Sequence, residues 1–556
     1  MKAHLLHCDR DFDWRPPLEE AALKEAARAG RRNQTCTCDP SRGLPWNLDA
    51  LTADLALNTL FETMAQGDQH IFEVARRVLL CGVSGDLETI RYRQAVLQDC
   101  LDHPTAIRAL YGIAVEAMEE QKRHYLGSFF TRYPDAVLRH GIDLVSAMLD
   151  LLRRLRRIAD TEAGNFVSDG ATTFYAMLQR DLDDDYLARV RRDLEELKLR
   201  EGVLLSAGLG KGNRGGKYVL RKFPQRPRSW LRLIGDWLRS LARRLGGQVV
   251  ARPARPQPGA SPVYSFSLHP RDEAGARALT ELRSRGIALV ADAVAQAADH
   301  VNNFFGMLRG ELAFYVGCLN LAETLAGKGE PMCMPIADPL GDRRLHSRGL
   351  YDVCLAAKLD SRVIGNNTDG DGKDLLIITG ANTGGKSTFL RSLGLAQLMM
   401  QAGMFVGGEE YRASLSEGVF THYKREEDAS MKSGKLDEEL SRMSEIVDHI
   451  RPGALVLLNE SFAATNEREG AEIGRQIITA LLEKRIRVAC VTHLYELSRS
   501  FLKRRDGDVL FLRAERARTF KLVEGEPLPT SYGEDLYKDI FGRAPAADAD
   551  LPAAAQ

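Results

Sequence analysis

No apolar run of about 18 residues occurs in the 556-residue chain, so no segment reads as a membrane-spanning helix. A cationic stretch followed by a short apolar core is also missing at the start, so no secretory leader is expected and a cytoplasmic protein is. Cysteine is sparse: nine are scattered, only Cys36 and Cys38 are close, and no His/Cys group beside them completes a zinc set. Reduced thiols are therefore expected in place of a disulfide frame. An excess of one charge is lacking too, since Lys+Arg and Asp+Glu are both 76, and the overall balance nominates no partner. The 44% hydrophobic content is ordinary for a globular chain and can fill large cores, and the length suggests two to four domains.

The most informative stretch follows the apolar run Leu375-Leu376-Ile377-Ile378-Thr379. It reads Gly380, Ala381, Asn382, Thr383, Gly384, Gly385, Lys386, Ser387, Thr388, and a helix is expected from near Phe389. Strand, Gly-x-x-x-x-Gly-Lys-Ser, helix is the arrangement that cradles nucleotide phosphates. Glycines 380, 384 and 385 let backbone N–H groups approach the phosphates, and a helix N-terminus favours the negative charge. Lys386 is expected to pair with the β- and γ-phosphates of ATP, and Ser387 to ligate Mg²⁺.

Residues 1–45 read as an irregular or capping segment, with Pro16-Pro17 and Gly30-Arg31-Arg32. From Leu48 to about Leu199 apolar residues recur at helical spacing, as in Leu51, Leu55, Leu60, Phe61 and Met64, which predicts long bundled helices. The Asp181–Asp185 cluster is expected to cap a helix and be solvated. Residues 200–258 carry fourteen Lys/Arg against Glu201 and Asp236, with glycines at 208, 210, 212, 215 and 216. They include a stretch around Trp230 and Trp237 with apolar residues on one helical face and Arg232, Arg239 and Arg243 on the other. Contact with a phosphate backbone, a solvated face on a packed helix, and adsorption to a membrane surface are all compatible with it. Helices resume near Ser261, with a stripe from Ile287 to Phe305 and a second stretch over 308–325. Strands are then predicted at Leu375–Thr379, Ala454–Leu458, Val488–Thr492 and Val509–Leu512, alternating with helices, which implies a mostly parallel sheet covered on both faces.

Hydrolysis of a nucleotide needs a metal, a group that activates water and charge stabilisation at the γ-phosphate. The buried strand Ala454–Leu458 runs into Asn459 and Glu460, and Glu460 is the natural water-activating carboxylate. Asn459 stands where an aspartate normally holds the Mg²⁺ shell through water. It keeps an acceptor without charge, so either slow turnover or a switch with little turnover follows. His493, at the end of the next strand, is placed to sense the γ-phosphate. Ser433 and Gly434 precede a helix start and suit a phosphate reached from a second subunit.

Together these segments resemble the MutS family of DNA mismatch-repair ATPases, a branch of the ABC-type NTPases. The residues that carry the resemblance are Ile378 to Thr388, Leu457-Leu458-Asn459-Glu460-Ser461, Thr492-His493-Leu494-Tyr495-Glu496-Leu497 and Ser531-Tyr532-Gly533. Upstream, Asp54 to Leu60 and Ile90 to Gln94 look similar to the family's helical core. The resemblance implies an α/β fold: a P-loop (ABC-type) ATPase domain with a parallel-rich sheet over 341–545, preceded by a long all-α lever domain over 46–340. A basic clamp-like insertion at 200–260 would interrupt the lever, and 546–556 would be a disordered tail.

It further implies ATP and Mg²⁺ as ligands and a homodimer with composite ATP sites, Ser433 and Gly434 acting in trans. Double-stranded DNA would be held through its phosphate backbone, and repair proteins are possible partners. In the family's clamp position stand Lys211, Arg214, Lys217, Arg221, Lys222, Arg232 and Arg239. The family's mismatch readers carry an N-terminal domain with a Phe-x-Glu wedge, and none occurs within the first 60 residues here, so direct mismatch reading is not expected. Two other readings stay open: an ATP-gated scaffold acting through protein partners, and a membrane-surface ATPase using the Trp230/Trp237 stretch.

Overall fold

The computed structural model describes residues 1–9, 44–81, 86–124, 133–198, 204–209, 215–221, 273–425, 434–502, 508–517 and 519–529. They divide into two compact units. One comprises Met1–Glu116, Arg154–Leu182 and Phe304–Gln556; the other comprises Ala117–Arg153 and Asp183–Asn303.

The first unit is built on a six-stranded sheet. In chain order its strands are β7 (Leu375–Gly380), β10 (Val419–Tyr423), β11 (Leu455–Asn459), β12 (Arg487–Val491), β13 (Val509–Ala514) and β14 (Leu522–Glu524). Their spatial order is β10-β11-β12-β7-β13-β14, parallel throughout except for β14. Residues along β7 and β10 are buried almost without alternation, as expected of parallel strands covered on both faces. Helices α12 (Lys435–His449), α13 (Glu467–Glu483) and α14 (Tyr495–Leu502) cover one face, where Met443, Ile446, Ile478, Leu481, Leu497 and Phe501 pack on Ile377, Val456, Leu458 and Val488. The other face carries α11 (Lys386–Ala402), whose Gly394 lies so close to Leu457 and Leu55 that a Cβ there would come within 2.6 and 2.8 Å of them.

The predicted strands lie within one or two residues of the observed ones, but two features differ from expectation. Helix α11 starts at Lys386, three residues before Phe389, because Gly385 as N-cap already turns the chain at φ +86°. A second, four-stranded sheet, β4 (Ile336–Asp338), β5 (Leu345–Leu350), β6 (Asn366–Asp369) and β9 (Glu410–Ser414), has no clear sequence signal, since its strands are short and rich in polar residues.

Among the helices that precede the sheet in this unit are α1 (Leu48–Asp54), α2 (Leu57–Ala65), α3 (Gln69–Cys81) and α4 (Leu87–Asp102). They bury Leu51, Leu60, Phe61, Met64, Val74, Val78, Leu79, Ile90 and Leu97 at 3% exposure or less. Asn47 donates from Nδ2 to the Val419 carbonyl at 3.1 Å, so these helices pack directly on the sheet. Residues 1–9 form neither helix nor strand, yet Ala3, Leu5 and Leu6 are buried. Glu311, itself 1% exposed, accepts the Leu5 and Leu6 N–H groups at 3.0 and 2.7 Å, and Arg93 donates to the Leu6 carbonyl at 2.8 Å.

Helix α9 runs unbroken from Glu273 to Gly327, where two stretches are expected from the sequence. No proline occurs between Arg271 and Glu330, so nothing forces a break. Residues 273–303 of this helix belong to the second unit, with the helix that begins at Asp184 and the hairpin β1 (Leu204–Leu209) and β2 (Gly215–Arg221). The hairpin is a finding inside the basic stretch, where the sequence reading expects no strand. The capping expectation for Asp181–Asp185 is corrected. Asp183 is the N-cap of the helix Asp184–Leu197 but makes no capping hydrogen bond; Asp181 ends the preceding helix and pairs with Arg180 at 2.8 Å. Asp184 and Asp185 serve the first turn through the helix dipole.

Candidate functional site

Strand register fixes the site. Asn459 lies beside Val491 across β11–β12, and Val491 beside Ile378 across β12–β7, so the carboxyl ends of three neighbouring parallel strands are level. Open parallel sheets bind ligands at such an edge. The chain leaves β7 through Gly380 at φ +103°, where a Cβ would stand 2.6 Å from the Ala514 carbonyl, so only glycine fits.

Lys386 opens helix α11 and is 5% exposed. Its Nζ donates to the carbonyls of Gly380 and Ala381 at 3.1 and 2.8 Å, curling the side chain back over the loop. Burial pulls its pKa down, and the carboxylate of Glu460 opposes that shift. Ser387 donates from Oγ to Oδ1 of Asn459 at 2.9 Å, joining the helix start to the end of β11. Glu460 follows with φ +54°, its N–H bonded to the Val491 carbonyl at 2.9 Å. A left-handed glutamate costs roughly 1–2 kcal/mol, and the neighbouring Phe462 is left-handed too, at φ +63°. His493 Nε2 meets Glu460 Oε1 at 2.7 Å. That hydrogen bond is the main reason the Glu460 carboxyl sits below its ordinary pKa, with burial opposing and Lys386 and Lys424 assisting.

These groups line a cavity of about 720 Å³. Its lining includes residues 382–388, Glu460 and His493 together with apolar groups, among them Leu355, Leu359, Val363, Ile364 and Phe520. Polar groups that can take phosphates and apolar groups that can take a flat base line the same cavity, which suits a nucleotide. Two of the polar lining residues, Asp352 and Asn366, hold the chain around the apolar groups. Asp352 caps the helix that begins at Val353 through the N–H groups of Cys354 and Leu355, at 2.9 and 3.0 Å, and pairs with Arg391 of α11. Asn366 donates to the Phe520 carbonyl at 3.1 Å and accepts the Leu522 N–H at 2.7 Å, holding Phe520 at φ +60° beside Gly385.

The structure thus brings Lys386, Ser387, Asn459, Glu460 and His493 together, with Asn382, Thr383, Gly384, Gly385 and Thr388 around the same cavity. Gly380 and Ala381 contribute the carbonyls that hold Lys386. Gly434 is the N-cap of α12 and is not among the residues lining the cavity; Ser433 lies outside the described residues. Of the basic candidates, Lys217 and Arg221 fall in β2, while Lys211, Arg214, Lys222, Arg232 and Arg239, the Trp230/Trp237 stretch, and Ser531 to Gly533 lie outside the described residues. Among the described residues no helix is long and apolar enough to cross a membrane. The sequence reading missed Leu355, Val363, Ile364 and Phe520. Phe520 enters the cavity 132 residues beyond Thr388, after a polar stretch with no motif, so no local signal marks it.

Two family models match the chain: the MutS2 N-terminal domain over residues 85–328 and MutS domain V over residues 376–524. Among curated proteins, the chain is 32% identical over 157 residues to the "Endonuclease MutS2" of Thermus thermophilus, covering 28% of this chain and 21% of that protein. It is 32% identical over 168 residues to the "DNA mismatch repair protein MutS" of Syntrophomonas wolfei, covering 30% and 19%. It is 35% identical over 126 residues to the "Endonuclease MutS2" of Carboxydothermus hydrogenoformans, covering 22% and 16%. The chain therefore spans about a fifth of the length of the curated relatives it matches. With one MutS model on the helices that precede the sheet and another on the sheet that carries Lys386, Glu460 and His493, this chain is a member of the MutS family.

Proposed function

We propose that this protein binds ATP at a phosphate loop of the ABC type, hydrolyses it slowly with Mg²⁺, and couples that cycle to DNA binding in mismatch repair or a related repair or recombination process. The observation that carries the reading is the pair of contacts around Lys386: Ser387 to Asn459 at 2.9 Å and His493 to Glu460 at 2.7 Å. It is supported by the relatives named as mismatch-repair and MutS2 proteins.

In this reading the triphosphate lies along residues 382–388, and Lys386 exchanges the loop carbonyls for β- and γ-phosphate oxygens. Ser387 would hold Mg²⁺ directly and Asn459, hydrogen-bonded to it, through water, which fits an ion that keeps several waters and takes few protein ligands. When bound, the metal would supply positive charge that neutralises the phosphates. Glu460 takes the proton of the attacking water. A γ-phosphate offers the His493 N–H a second acceptor, and as His493 turns to it the Glu460 carboxylate is freed. The apolar lining groups, with Phe520, Val363 and Ile364 among them, receive the base. A homodimer with Ser433 and Gly434 completing the partner's site belongs to the same reading, as do a cytoplasmic location and contacts from the basic 200–260 insertion to DNA phosphates.

Glu460→Gln is expected to abolish turnover while ATP binding persists; unchanged hydrolysis would sink the water-activating role. DNA binding is tested with homoduplex, mismatched, branched and single-stranded DNA, with and without ATP. Affinity should fall with rising salt with a slope of about 0.9 per phosphate contact. Failure to bind any of these at low salt removes the DNA half of the proposal. A second reading, an ATP-gated scaffold with little hydrolysis, draws on the uncharged Asn459 and on the hydrogen bond that engages Glu460. Single-turnover measurement separates them, because a scaffold binds ATP without releasing phosphate.

A further inference from the structure

The turn that bears Glu460 is held from behind by a buried histidine that takes no part in the site described above. His422 lies in β10, opposite Leu458 of β11, and is 0% exposed. Its Nδ1 is 2.7 Å from Ser461 Oγ, and its Nε2 is 2.9 Å from the carbonyl oxygen of Glu439 in helix α12. The ring also stacks on Phe462, with centroids 5.3 Å apart and planes 20° apart. Ser461 and Phe462 are themselves 5% and 1% exposed, so the contacts are shielded from water.

Chemistry fixes the tautomer. A carbonyl oxygen only accepts, so Nε2 carries the hydrogen that Glu439 receives. Burial, with Arg442 adding to it, lowers the ring's pKa to about 4, so the ring is neutral at physiological pH and Nδ1 is a bare acceptor for the Ser461 hydroxyl. Ser461 Oγ also lies 2.7 Å from the His422 carbonyl, and its single proton serves either acceptor on the same residue. Glu460 and Phe462, on either side of Ser461, both have left-handed backbones at φ +54° and +63°. Such a turn persists only where its surroundings dictate it. Glu460 is tied on one side by its N–H to Val491, and Ser461 and Phe462 are tied on the other by His422.

We infer that His422 is a positioning residue: through Ser461 and Phe462 it aims the Glu460 carboxylate into the cavity, and through Glu439 it ties that turn to the helix that begins after Gly434. The inference rests on the proposed ATPase reading and assigns His422 no contact with substrate. The link gives α12, whose N-terminal end is the proposed trans segment, a direct mechanical connection to the carboxylate in the same chain.

The test compares ATP turnover and ATP affinity in the full chain for wild type, E460Q, H422Q, H422N, S461A and the double variant H422Q/S461A. Glutamine places its amide near the Nε2 position and keeps the Glu439 contact alone, whereas asparagine places one near Nδ1 and keeps the Ser461 contact. H422Q and S461A should each lose about tenfold or more in kcat, since small misplacements of a reacting group cost that much, with the ATP Kd unchanged within about twofold. H422N should retain most of the rate, and the double variant should be no slower than the worse single one. Thermal melting checks the fold, and S461A, which removes one hydroxyl, carries the comparison if H422Q does not fold. Turnover lost in E460Q but kept at the wild-type rate in H422Q and S461A overturns the inference alone, as do losses that multiply in the double variant. Turnover unchanged in E460Q overturns the Glu460 assignment and the inference with it.

Discussion

An aspartate in place of Asn459 would keep the acceptor that Ser387 uses at 2.9 Å and add a negative charge beside the proposed phosphate site. One added charge a few ångström from a divalent ion, at a half-buried site, is worth on the order of 1–4 kcal/mol, so Asn459→Asp should lower the half-saturating Mg²⁺ concentration for turnover by about tenfold or more. A Mg²⁺ titration of ATPase activity reads this directly, and an unchanged midpoint would remove Asn459 from the metal shell. Lys386, Ser387, Glu460 and His493 are legible in the sequence as candidates because each follows an apolar strand at the spacing that the proposed phosphate chemistry asks for. The pairings are not. Nothing in the chain order states that Ser387 meets Asn459, 72 residues away, or that His493 meets Glu460; those contacts arise because β11, β12 and β7 align in register.

At the scale of elements, the first residues of the chain behave as part of the core. Glu311 on α9 accepts two backbone N–H groups from Leu5 and Leu6, and Arg93 joins the same segment to the end of α11 through the Ala402 carbonyl at 3.2 Å. Glu311→Ala would leave two buried donors without that acceptor, a loss of about 2–4 kcal/mol. The expected result is a lower urea midpoint with an ATP Kd close to wild type; an unchanged midpoint would show that the segment does not contribute to stability. Helices with apolar stripes and strands of the main sheet are legible element by element, since burial against a sheet or neighbouring helix writes its period into the sequence. Segment 3–6 is too short to show a period, and strand β6, Asn366-Asn367-Thr368-Asp369, has polar residues that read as a loop. It becomes a strand only because β5 offers its edge.

For the whole molecule, two buried histidines make the fold sensitive to acid, against the opposing pull of Asp54, Asp352 and Glu439, whose carboxyls burial raises. Burial lowers His422 to about 4, and burial together with Arg309 lowers His70 to about 4, against an ordinary 6.5. Between those values the unfolded chain takes up protons that the fold refuses, so stability falls as pH falls from 6.5 toward 4. His422 alone sets a slope of about 1.4 kcal/mol per pH unit. Glu460 is depressed instead, so its contribution is present above its ordinary 4.5 and is lost only as pH drops through its lowered value. Chemical denaturation between pH 7 and 4.5 should show a shallower decline in H70Q than in wild type, and identical profiles would contradict the burial assigned to His70.

The sequence by itself determined the Gly-x-x-x-x-Gly-Lys-Ser segment proposed to bind phosphate, the parallel-rich sheet that presents it, and the helices of the first half, because backbone conformation and burial period each demand particular residues at short spacing. Tertiary structure alone decided how the helices divide, drawing Met1–Glu116 and Phe304–Gly327 into the unit that holds the sheet and placing other helices in a second unit. It also decided that Phe520 lines the cavity and that a buried histidine stands behind the turn that bears Glu460. These are contacts between residues far apart in the chain, fixed by strand register and packing, and no local pattern encodes them.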